Sequence, residues 1–316
     1  MVENPCPPVL FIFFRRPEVT LRVFERIAQA KPTRLYLASD GPRANQLNEA
    51  DTVSLLREAI LSKIDWPCDV QTNFSDTNLG CAHRMSSAID WFFENEPEGI
   101  ILEDDCLPDP SFFEYCAVML ERYRDDTRMM HVAGYHCFEP GKSYGEGDYF
   151  FIRTPLVWGW ASWRRAWHGY DLAMVSLESF LKTDGLYRFY EPLSSLSQTG
   201  TNYHLHKIRK EFLANRSKSW DYPWAFHVMR NHGLCVVPRV NLVSNIGVGS
   251  TGTHKRLSWN NPDANRPTES LTRFKAPEHH LPNWHAERYL FKRHLRYSLR
   301  GLGERAVSKL ILRLMR

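Results

Sequence analysis

Three consecutive acidic residues, Glu103, Asp104 and Asp105, are the side chains of this sequence best suited to chemistry. They follow the apolar run Gly99–Leu102, whose composition is typical of a buried strand. Carboxylates crowded at a strand end repel one another, so keeping them ionised requires a compensating charge, and their oxygen atoms suit Mg²⁺ or Mn²⁺. Because side chains alternate along an extended segment, we expect Glu103 and Asp105 to face one way and Asp104 the other. A solvated acidic turn is the alternative.

A single acid among aromatic residues, Asp221, is a candidate general base. Trp220 and Tyr222 flank it, and Pro223 fixes the chain beside it. Surroundings of this kind exclude water and raise the pKa of a carboxylate, which suits a general base. Asp221 is equally well placed to cap a helix predicted over Pro223–Asn231, and the two roles are compatible.

The segment Asn245–His254 is rich in glycine and hydroxyl side chains and is suited to folding over a phosphate or a metal ion. Its last residue, His254, is the histidine that we expect to bind a metal, because a flexible loop can bring its imidazole to the ion.

A second aromatic stretch holds four tryptophans within ten residues, Trp158, Trp160, Trp163 and Trp167. Large aromatic side chains usually pack in a core, and we favour this role for Trp163 and Trp167. The other possibility is that some of these rings stack on sugar or base faces in a substrate cleft.

The elements that must position these side chains alternate between strand and helix. Parallel strands with helices on both faces form an open α/β layer, in which ligands bind beyond the carboxyl ends of the strands. Polar residues end the predicted strands and should meet there: Arg15, Arg16, Asp40, Asn73, Asp76 and the three acids. The predicted strands are Val9–Phe14, Arg34–Ser39, Cys68–Phe74 and Gly99–Leu102, and the predicted helices are Pro17–Ala30, Ala50–Ile64 and Leu79–Asn95.

The chain contains no glycine-rich dinucleotide motif and no P-loop, so the phosphates of a bound nucleotide would be neutralised by a metal ion and by arginines. Later segments are less regular. We predict strands over Met129–Ala133, Asp148–Ile152 and Gly233–Val237, and helix between Leu186 and Ala214.

Composition indicates a globular protein, with 43% hydrophobic and 13% aromatic residues. No apolar run is long enough to cross a bilayer, Val9–Phe14 is too short for a secretory signal, and the seven cysteines lack paired spacing. We therefore expect a cytoplasmic protein with reduced cysteines.

The end of the chain is basic, because Trp284–Arg316 holds nine Lys or Arg and two Glu while the whole chain carries a net charge of +4. Within it, Glu304–Met315 places an apolar stripe beside basic residues, which suits either an anionic membrane surface or docking onto the body. Nucleic acid is a poorer partner, since no recognition motif accompanies the charge.

The segment Glu103–Cys116, EDDCLPDPSFFEYC, carries a resemblance to a known group. It resembles the metal-motif segment of glycosyltransferases of the GT-A fold, of the N-acetylglucosaminyltransferase I type and the bacterial family-2-like, haemolytic-protein-like group. The likeness covers residues 9–255 in element order. It implies a GT-A, Rossmann-like, mainly parallel sheet, with a nucleotide-sugar half over residues 1–128 and an acceptor and catalytic half over 129–259. Beyond these halves, the polar, proline-rich composition predicts an exposed connector over 260–283, and the basic residues predict a helical tail over 284–316.

The resemblance also implies roles for individual residues. Asp105 would bind Mn²⁺ or Mg²⁺ joined to the diphosphate of a UDP-sugar, and Glu103 and Asp104 would support the ribose, the donor sugar or metal waters. Asp221 falls at the catalytic base, although this chain has Trp-Asp-Tyr where the family has two consecutive acids. The remaining positions lie near the nucleotide: Arg16, Asp40 beside the uracil, and either His83 or Arg84.

Together these features predict an inverting, metal-dependent transfer of a sugar from a nucleotide diphosphate to a glycan or lipid-linked acceptor. The absence of a membrane anchor or stem fits a bacterial cytoplasmic enzyme, peripheral on the inner membrane if the tail binds lipid. Two alternatives remain: a metal-dependent nucleotidyltransferase or phosphohydrolase, and a non-enzymatic, membrane-active protein that acts through its tail.

Overall fold

A central sheet of eight strands organises the protein, with helices packed against it. The computed structural model describes residues 6–139, 142–183, 185–190, 198–247 and 263–293. His254 and the predicted helix Glu304–Met315 therefore lie outside the described residues. The strands are β1 (Val9–Phe13), β2 (Arg34–Ser39), β3 (Asp69–Phe74), β4 (Glu98–Glu103), β5 (Cys106–Pro108), β6 (Met129–Ala133), β7 (Tyr149–Ile152), β8 (Trp160–Trp163), β9 (Leu234–Pro238) and β10 (Val243–Asn245).

The strand order in the main sheet is β3-β2-β1-β4-β8-β6-β9-β7. Strands β3, β2, β1 and β4 are parallel neighbours, and β6 and β9 also pair in parallel. Strands β8 and β7 run antiparallel to their neighbours. The prediction of a mixed, mainly parallel, Rossmann-like α/β sheet is confirmed, and the carboxyl ends of β1, β2 and β4 share one edge.

The helices are α1 (Pro17–Ala30), α2 (Glu49–Ser62), α3 (Cys81–Asn95), α4 (Ser111–Arg122), α5 (Arg164–Trp167), α6 (Leu177–Lys182), α7 (Gly185–Tyr190), α8 (Gln198–Asn215) and α9 (Asp221–Arg230). Helix α1 illustrates why the bounds of a helix can be predicted from the sequence. Pro17 suits a first turn, the side chains of Val23, Phe24 and Ile27 are buried, and Lys31 ends the helix in a left-handed conformation.

Three strands, β5, β8 and β10, were not predicted. Strand β8 comes from the tryptophan-rich stretch and lies antiparallel between β4 and β6. Gly159, just before it, has φ +62, and a Cβ there would lie 2.8 Å from the side chain of Val243. The close approach of β10 to β8 therefore requires glycine at this position.

Most of the tryptophan-rich stretch packs in the core. Trp160, Trp163 and Trp167 are at most 4% exposed, so the core role expected for Trp163 and Trp167 is confirmed. The ring of Trp160 stacks on Trp220 with the centroids 5.7 Å apart. Trp158 differs because it is only half-buried.

Residues 263–283 run along the body, although many of their side chains are exposed as predicted. Leu271 is buried, and the Ser270 hydroxyl donates to Asp109 at 2.9 Å. A helical segment then covers residues 284–293, where the buried Glu287 carboxylate pairs with Arg153 at 2.5 Å. The beginning of the basic tail is thus docked on the body.

The seven cysteines all lie in the described ranges, where they are free and four of them are buried. Within the same ranges, no helix combines the length and apolar character needed to span a bilayer.

Candidate functional site

The three acids lie at the carboxyl end of β4, beside the end of β1. Glu103 is the last residue of β4, and Asp104 and Asp105 form a turn after it. The Arg16 guanidinium bridges the two aspartates, because Nη2 donates to Oδ2 of Asp105 at 2.9 Å and to Oδ1 of Asp104. The expectation that Asp104 and Asp105 face opposite ways is therefore wrong, since the extended segment ends at Glu103 and the turn brings both carboxylates to one arginine.

The start of α1 positions Arg16 and completes the surroundings of Asp104. Arg16 precedes the first residue of α1, Pro17, directly beyond β1. One helical turn later, the buried Thr20 hydroxyl donates to Oδ2 of Asp104 at 3.4 Å, and Arg16 Nε donates to the same oxygen at 3.3 Å. Asp104 is thus held by the chain itself.

Negative charge exceeds positive charge among these groups. Burial raises the pKa of Glu103 well above its usual range, and the charges of Asp105, Asp104 and Asp221 add to this effect. Burial also raises the pKa of Asp104, although Arg16 opposes it. For Arg16, burial acts to lower the pKa, but Asp104 and Asp105 outweigh it and leave the pKa raised. The positive charge of the Arg16 guanidinium therefore offsets only part of the negative charge of these acids.

The small antiparallel sheet of β5 and β10 closes the other side of Asp105. Asn245, at the end of β10, pairs with Cys106, and its Nδ2 lies 3.5 Å from Oδ1 of Asp105. The next backbone N–H, of Ile246, donates to the Asp105 carbonyl at 2.8 Å. A Cβ on Gly247 would lie 2.1 Å from Oδ2 of Asp105, so only glycine lets the chain pass this carboxylate so closely. The glycine-rich segment thus begins against the acidic run.

Asp221 approaches the same acids from α9. It is the first residue of the helix rather than the residue before it, and Trp220 occupies the capping position without a side-chain cap. The predicted capping role is therefore wrong, since the Asp221 carboxylate instead accepts a hydrogen bond from the Ser219 hydroxyl. The stacking of Trp220 on Trp160 anchors this end of α9 to β8.

Cys81, the first residue of α3, borders the acidic group. Burial raises the pKa of the Cys81 thiol to about 12, and the negative charges of the neighbouring acids add to this effect. These acids are Glu103, Asp221, Asp105 and Asp104. The residue as a whole is exposed, so the neutral thiol lies at the rim of the site.

The Asp40 carboxylate accepts several hydrogen bonds from the protein itself. The backbone N–H groups of Gly41 at 2.9 Å, Leu79 at 2.8 Å and Gly80 at 3.1 Å donate to it. The side-chain amide of Asn78 donates at 3.0 Å. A uracil would compete with these four bonds, and the role of Asp40 in base binding stays a prediction.

The two candidates on α3 differ in exposure. His83 is exposed in the first turn. Arg84 is buried, and its guanidinium donates to the backbone carbonyl of Asn73 at 2.9 Å and to the side-chain carbonyl at 3.1 Å. Arg84 therefore joins α3 to the end of β3, and the contact of either residue with a nucleotide stays a prediction.

The donor set suits a hard divalent cation, although the described residues do not form a complete coordination shell. Among the residues that the structure describes, no three histidine, cysteine, aspartate or glutamate side chains already surround a point for a metal ion. Mg²⁺ and Mn²⁺, however, are commonly held by one or two carboxylates together with substrate phosphates. Within the described ranges the Glu103 carboxylate has no hydrogen bond or ion pair. The Asp105 carboxylate is bonded to Arg16 at 2.9 Å, and it has longer contacts with Asn245 at 3.5 Å and the Cys106 thiol at 3.7 Å. These residues fit an ion that binds together with a diphosphate.

Three contacts at this site were not anticipated from the sequence: Thr20 with Asp104, Asn245 with Asp105, and Cys81 beside the acids. Thr20 lies four residues after Arg16, a helical spacing that would have placed it on the same face of α1. Asn245 and Cys81 are distant in sequence from the acids, and no local pattern marks their proximity.

Comparisons with known proteins give little further information. No model of a known protein family matches the chain, and no curated protein matches it significantly. Among solved structures, HddC from Yersinia pseudotuberculosis has a TM-score of 0.31 and 8% identity over 50% of this chain and 77% of that chain. HddC complexed with GMP-PN has a TM-score of 0.27 and 10% identity over 47% of this chain and 60% of that chain. These values support no argument, so any function assigned to this chain depends on its own residues.

Proposed function

We propose that the protein is an inverting, metal-dependent glycosyltransferase of the GT-A type that uses a nucleotide-diphosphate sugar, with UDP as the expected nucleotide. The observation that carries the proposal is the meeting of Arg16 with Asp104 and Asp105 at the carboxyl edge of an α/β sheet, with Asp221 beside them. An arginine fork binds diphosphate oxygens, and carboxylates bind the accompanying cation. The resemblance of Glu103–Cys116 to glycosyltransferases supports the same assignment.

Arg16 and the acids would bind different parts of the donor complex. The diphosphate carries the charge that Arg16 neutralises best, so Arg16 would exchange its bond to Asp105 for bonds to phosphate oxygens. Asp105 would then be available as the protein ligand to Mn²⁺ or Mg²⁺, with Glu103 beside it. When bound, the metal ion stabilises negative charge on the departing diphosphate.

Asp221 would act on the acceptor. Its carboxylate would take the proton of an acceptor hydroxyl, whose oxygen forms the new bond to the anomeric carbon while the bond from that carbon to the diphosphate breaks. The diphosphate leaves with the bonding electron pair. Attack from the face opposite the leaving group inverts the anomeric configuration.

A ligand screen tests the proposal. A ligand that binds only the folded state raises the melting temperature by mass action. UDP, GDP, CMP and dTDP are compared with and without Mn²⁺, and we expect UDP with Mn²⁺ to give the largest shift. The corresponding sugar nucleotides are then incubated with the protein and the products analysed.

The products separate the alternatives. Release of UDP supports glycosyl transfer, whereas release of phosphate or pyrophosphate would indicate a phosphohydrolase or nucleotidyltransferase. No response to any nucleotide would contradict the proposal and favour a membrane-active protein, whose suggested tail helix lies outside the described residues.

A further inference from the structure

Trp158 is the member of the tryptophan-rich stretch that keeps an accessible surface. The three tryptophans that follow it are at most 4% exposed, whereas Trp158 is half-buried. Its ring packs against Tyr135 with the centroids 4.6 Å apart and the planes at 56°. Tyr135 is itself buried, so it supports the indole from one side and limits its movement.

The neighbouring backbone brings Trp158 beside the acidic run. The last registered pair of β4 and β8 is Ile101 with Trp160. Two residues beyond this pair lie Glu103, the last residue of β4, and Trp158, in the bend that precedes β8. A Cβ on Gly159, the next residue after Trp158, would lie 3.3 Å from the side chain of Leu102, which directly precedes Glu103. Trp158 therefore lies at the same edge of the sheet as the acids.

The strand order decides which side of the acids Trp158 occupies. Arg16 follows β1, on one side of β4, whereas Trp158 precedes β8, on the other side. If Arg16 receives the diphosphate, the nucleotide occupies the β1 side. The β8 side then remains for the acceptor, and Asp221 reaches this side through the stack of Trp220 on Trp160.

We propose that the acceptor is a carbohydrate whose pyranose ring stacks on Trp158, which makes Trp158 a specificity-determining residue. This inference rests on the proposed function. An indole face offers a flat apolar surface to the C–H groups of a sugar ring, while nearby polar groups bind the hydroxyls at its rim. Asp221 would supply such a group and would also accept the proton.

Saturation-transfer NMR and calorimetry on the full chain test the proposal. The probes are the methyl pyranosides of glucose, galactose, N-acetylglucosamine and rhamnose, together with maltotriose, cellotriose and chitotriose. The variants are Trp158→Ala and Trp158→Phe, with Trp284→Ala as the control because Trp284 is 43% exposed and lies in the helix over residues 284–293. Binding of UDP with Mn²⁺ is measured on every variant.

We expect at least one probe to bind the unmodified protein and its Trp284→Ala variant equally. Trp158→Ala should weaken that binding at least tenfold, and Trp158→Phe should weaken it less because an aromatic face remains. The affinity for UDP with Mn²⁺ should stay within twofold in both Trp158 variants.

Two results would overturn the inference: no probe binds the unmodified protein, or Trp158→Ala binds the probes as tightly as the unmodified protein. Failure of the proposed function is distinguishable, because it appears as absent nucleotide binding in the unmodified protein, whatever the probes do.

Discussion

At the scale of single residues, Arg16 determines the charge balance of the site. Its side chain is 18% exposed and the Asp104 side chain 10% exposed, so the ion pair is largely removed from water. Leaving one member of such a pair without its partner is costly, whereas replacing both members by neutral groups is much less so.

We therefore predict that Arg16→Gln lowers the free energy of unfolding by about 3 kcal/mol. Adding Asp104→Asn to it should recover more than half of the loss. Urea unfolding of the two single variants and the double variant measures the coupling. If the double variant is as unstable as the sum of the single variants, the ion pair does not have the importance assigned to it.

Residue types alone revealed part of this site. Arg16, Asp105 and Asp221 were identified because each is a charged residue at the end of a predicted strand or among aromatic side chains. The bridge between Asp104 and Asp105 was missed because the position at which extended backbone becomes a turn depends on the contacts of Arg16 and Asn245. Those contacts join residues far apart in sequence.

At the scale of elements, the close packing of β8 against β10 depends on Gly159. Its φ of +62 disfavours any side chain, and a Cβ would lie 2.8 and 2.9 Å from the two methyl groups of Val243. Valine is β-branched and cannot easily rotate away.

We predict that Gly159→Ala destabilises the protein by about 3 kcal/mol, from backbone strain and overpacking together. Gly169→Ala is the matched control, because Gly169 has φ +80 but its nearest neighbour would be 3.7 Å away. It should cost about 1 kcal/mol. Equal losses in thermal unfolding would show that the contact with Val243 is unimportant.

The helix over residues 284–293 depends on one buried acid. Glu287 is 4% exposed and accepts hydrogen bonds from the backbone N–H and Nε of Arg153, both at 2.6 Å. We predict that Glu287→Ala increases amide hydrogen exchange across residues 284–293 at least tenfold, because the unpaired Arg153 no longer holds the helix.

Glu278→Ala serves as the control, since the Glu278 side chain is 84% exposed. Unchanged exchange in Glu287→Ala would mean that apolar contacts, such as that of the buried Ala286, are sufficient to dock the helix.

Among the elements, those with strong local patterns were predicted well. The bounds of α1 and β2 match the expected ranges, since each shows a clear run or helical spacing of apolar residues. Strand β8 was missed because Trp160–Trp163 is short and its identity as a strand comes from the neighbours β4 and β6. Such pairing over long sequence distances is not visible in a local window.

At the scale of the whole molecule, buried histidines make stability sensitive to acid. Burial lowers the pKa of His131 to about 3, and burial followed by the charge of Arg266 lowers the pKa of His136 to about 4. Unfolded histidine titrates near 6.5. Their contribution is present above about pH 6.5 and is lost as the pH falls toward the folded-state pKa.

Each of these histidines should thus cost about 2 kcal/mol of stability between about pH 6.5 and 4.5. His136→Phe is a useful test, since Nε2 of His136 has no hydrogen-bond partner within the described residues and its ring lies among aromatic ones. Urea unfolding at several pH values should show a shallower pH dependence for this variant. An unchanged slope would contradict the assignment of His136 as a buried neutral group.

The central claim, that Arg16 and the acids of β4 form the site for a nucleotide diphosphate and a divalent cation, is tested most directly by calorimetric titration of UDP in the presence of Mn²⁺. The unmodified protein is compared with Asp105→Asn and with Asp69→Asn, a control at an exposed position of β3. We predict metal-dependent binding to the unmodified protein and to Asp69→Asn, and at least a tenfold loss in Asp105→Asn. Equal affinity in all three proteins, or no binding to any of them, would contradict the claim.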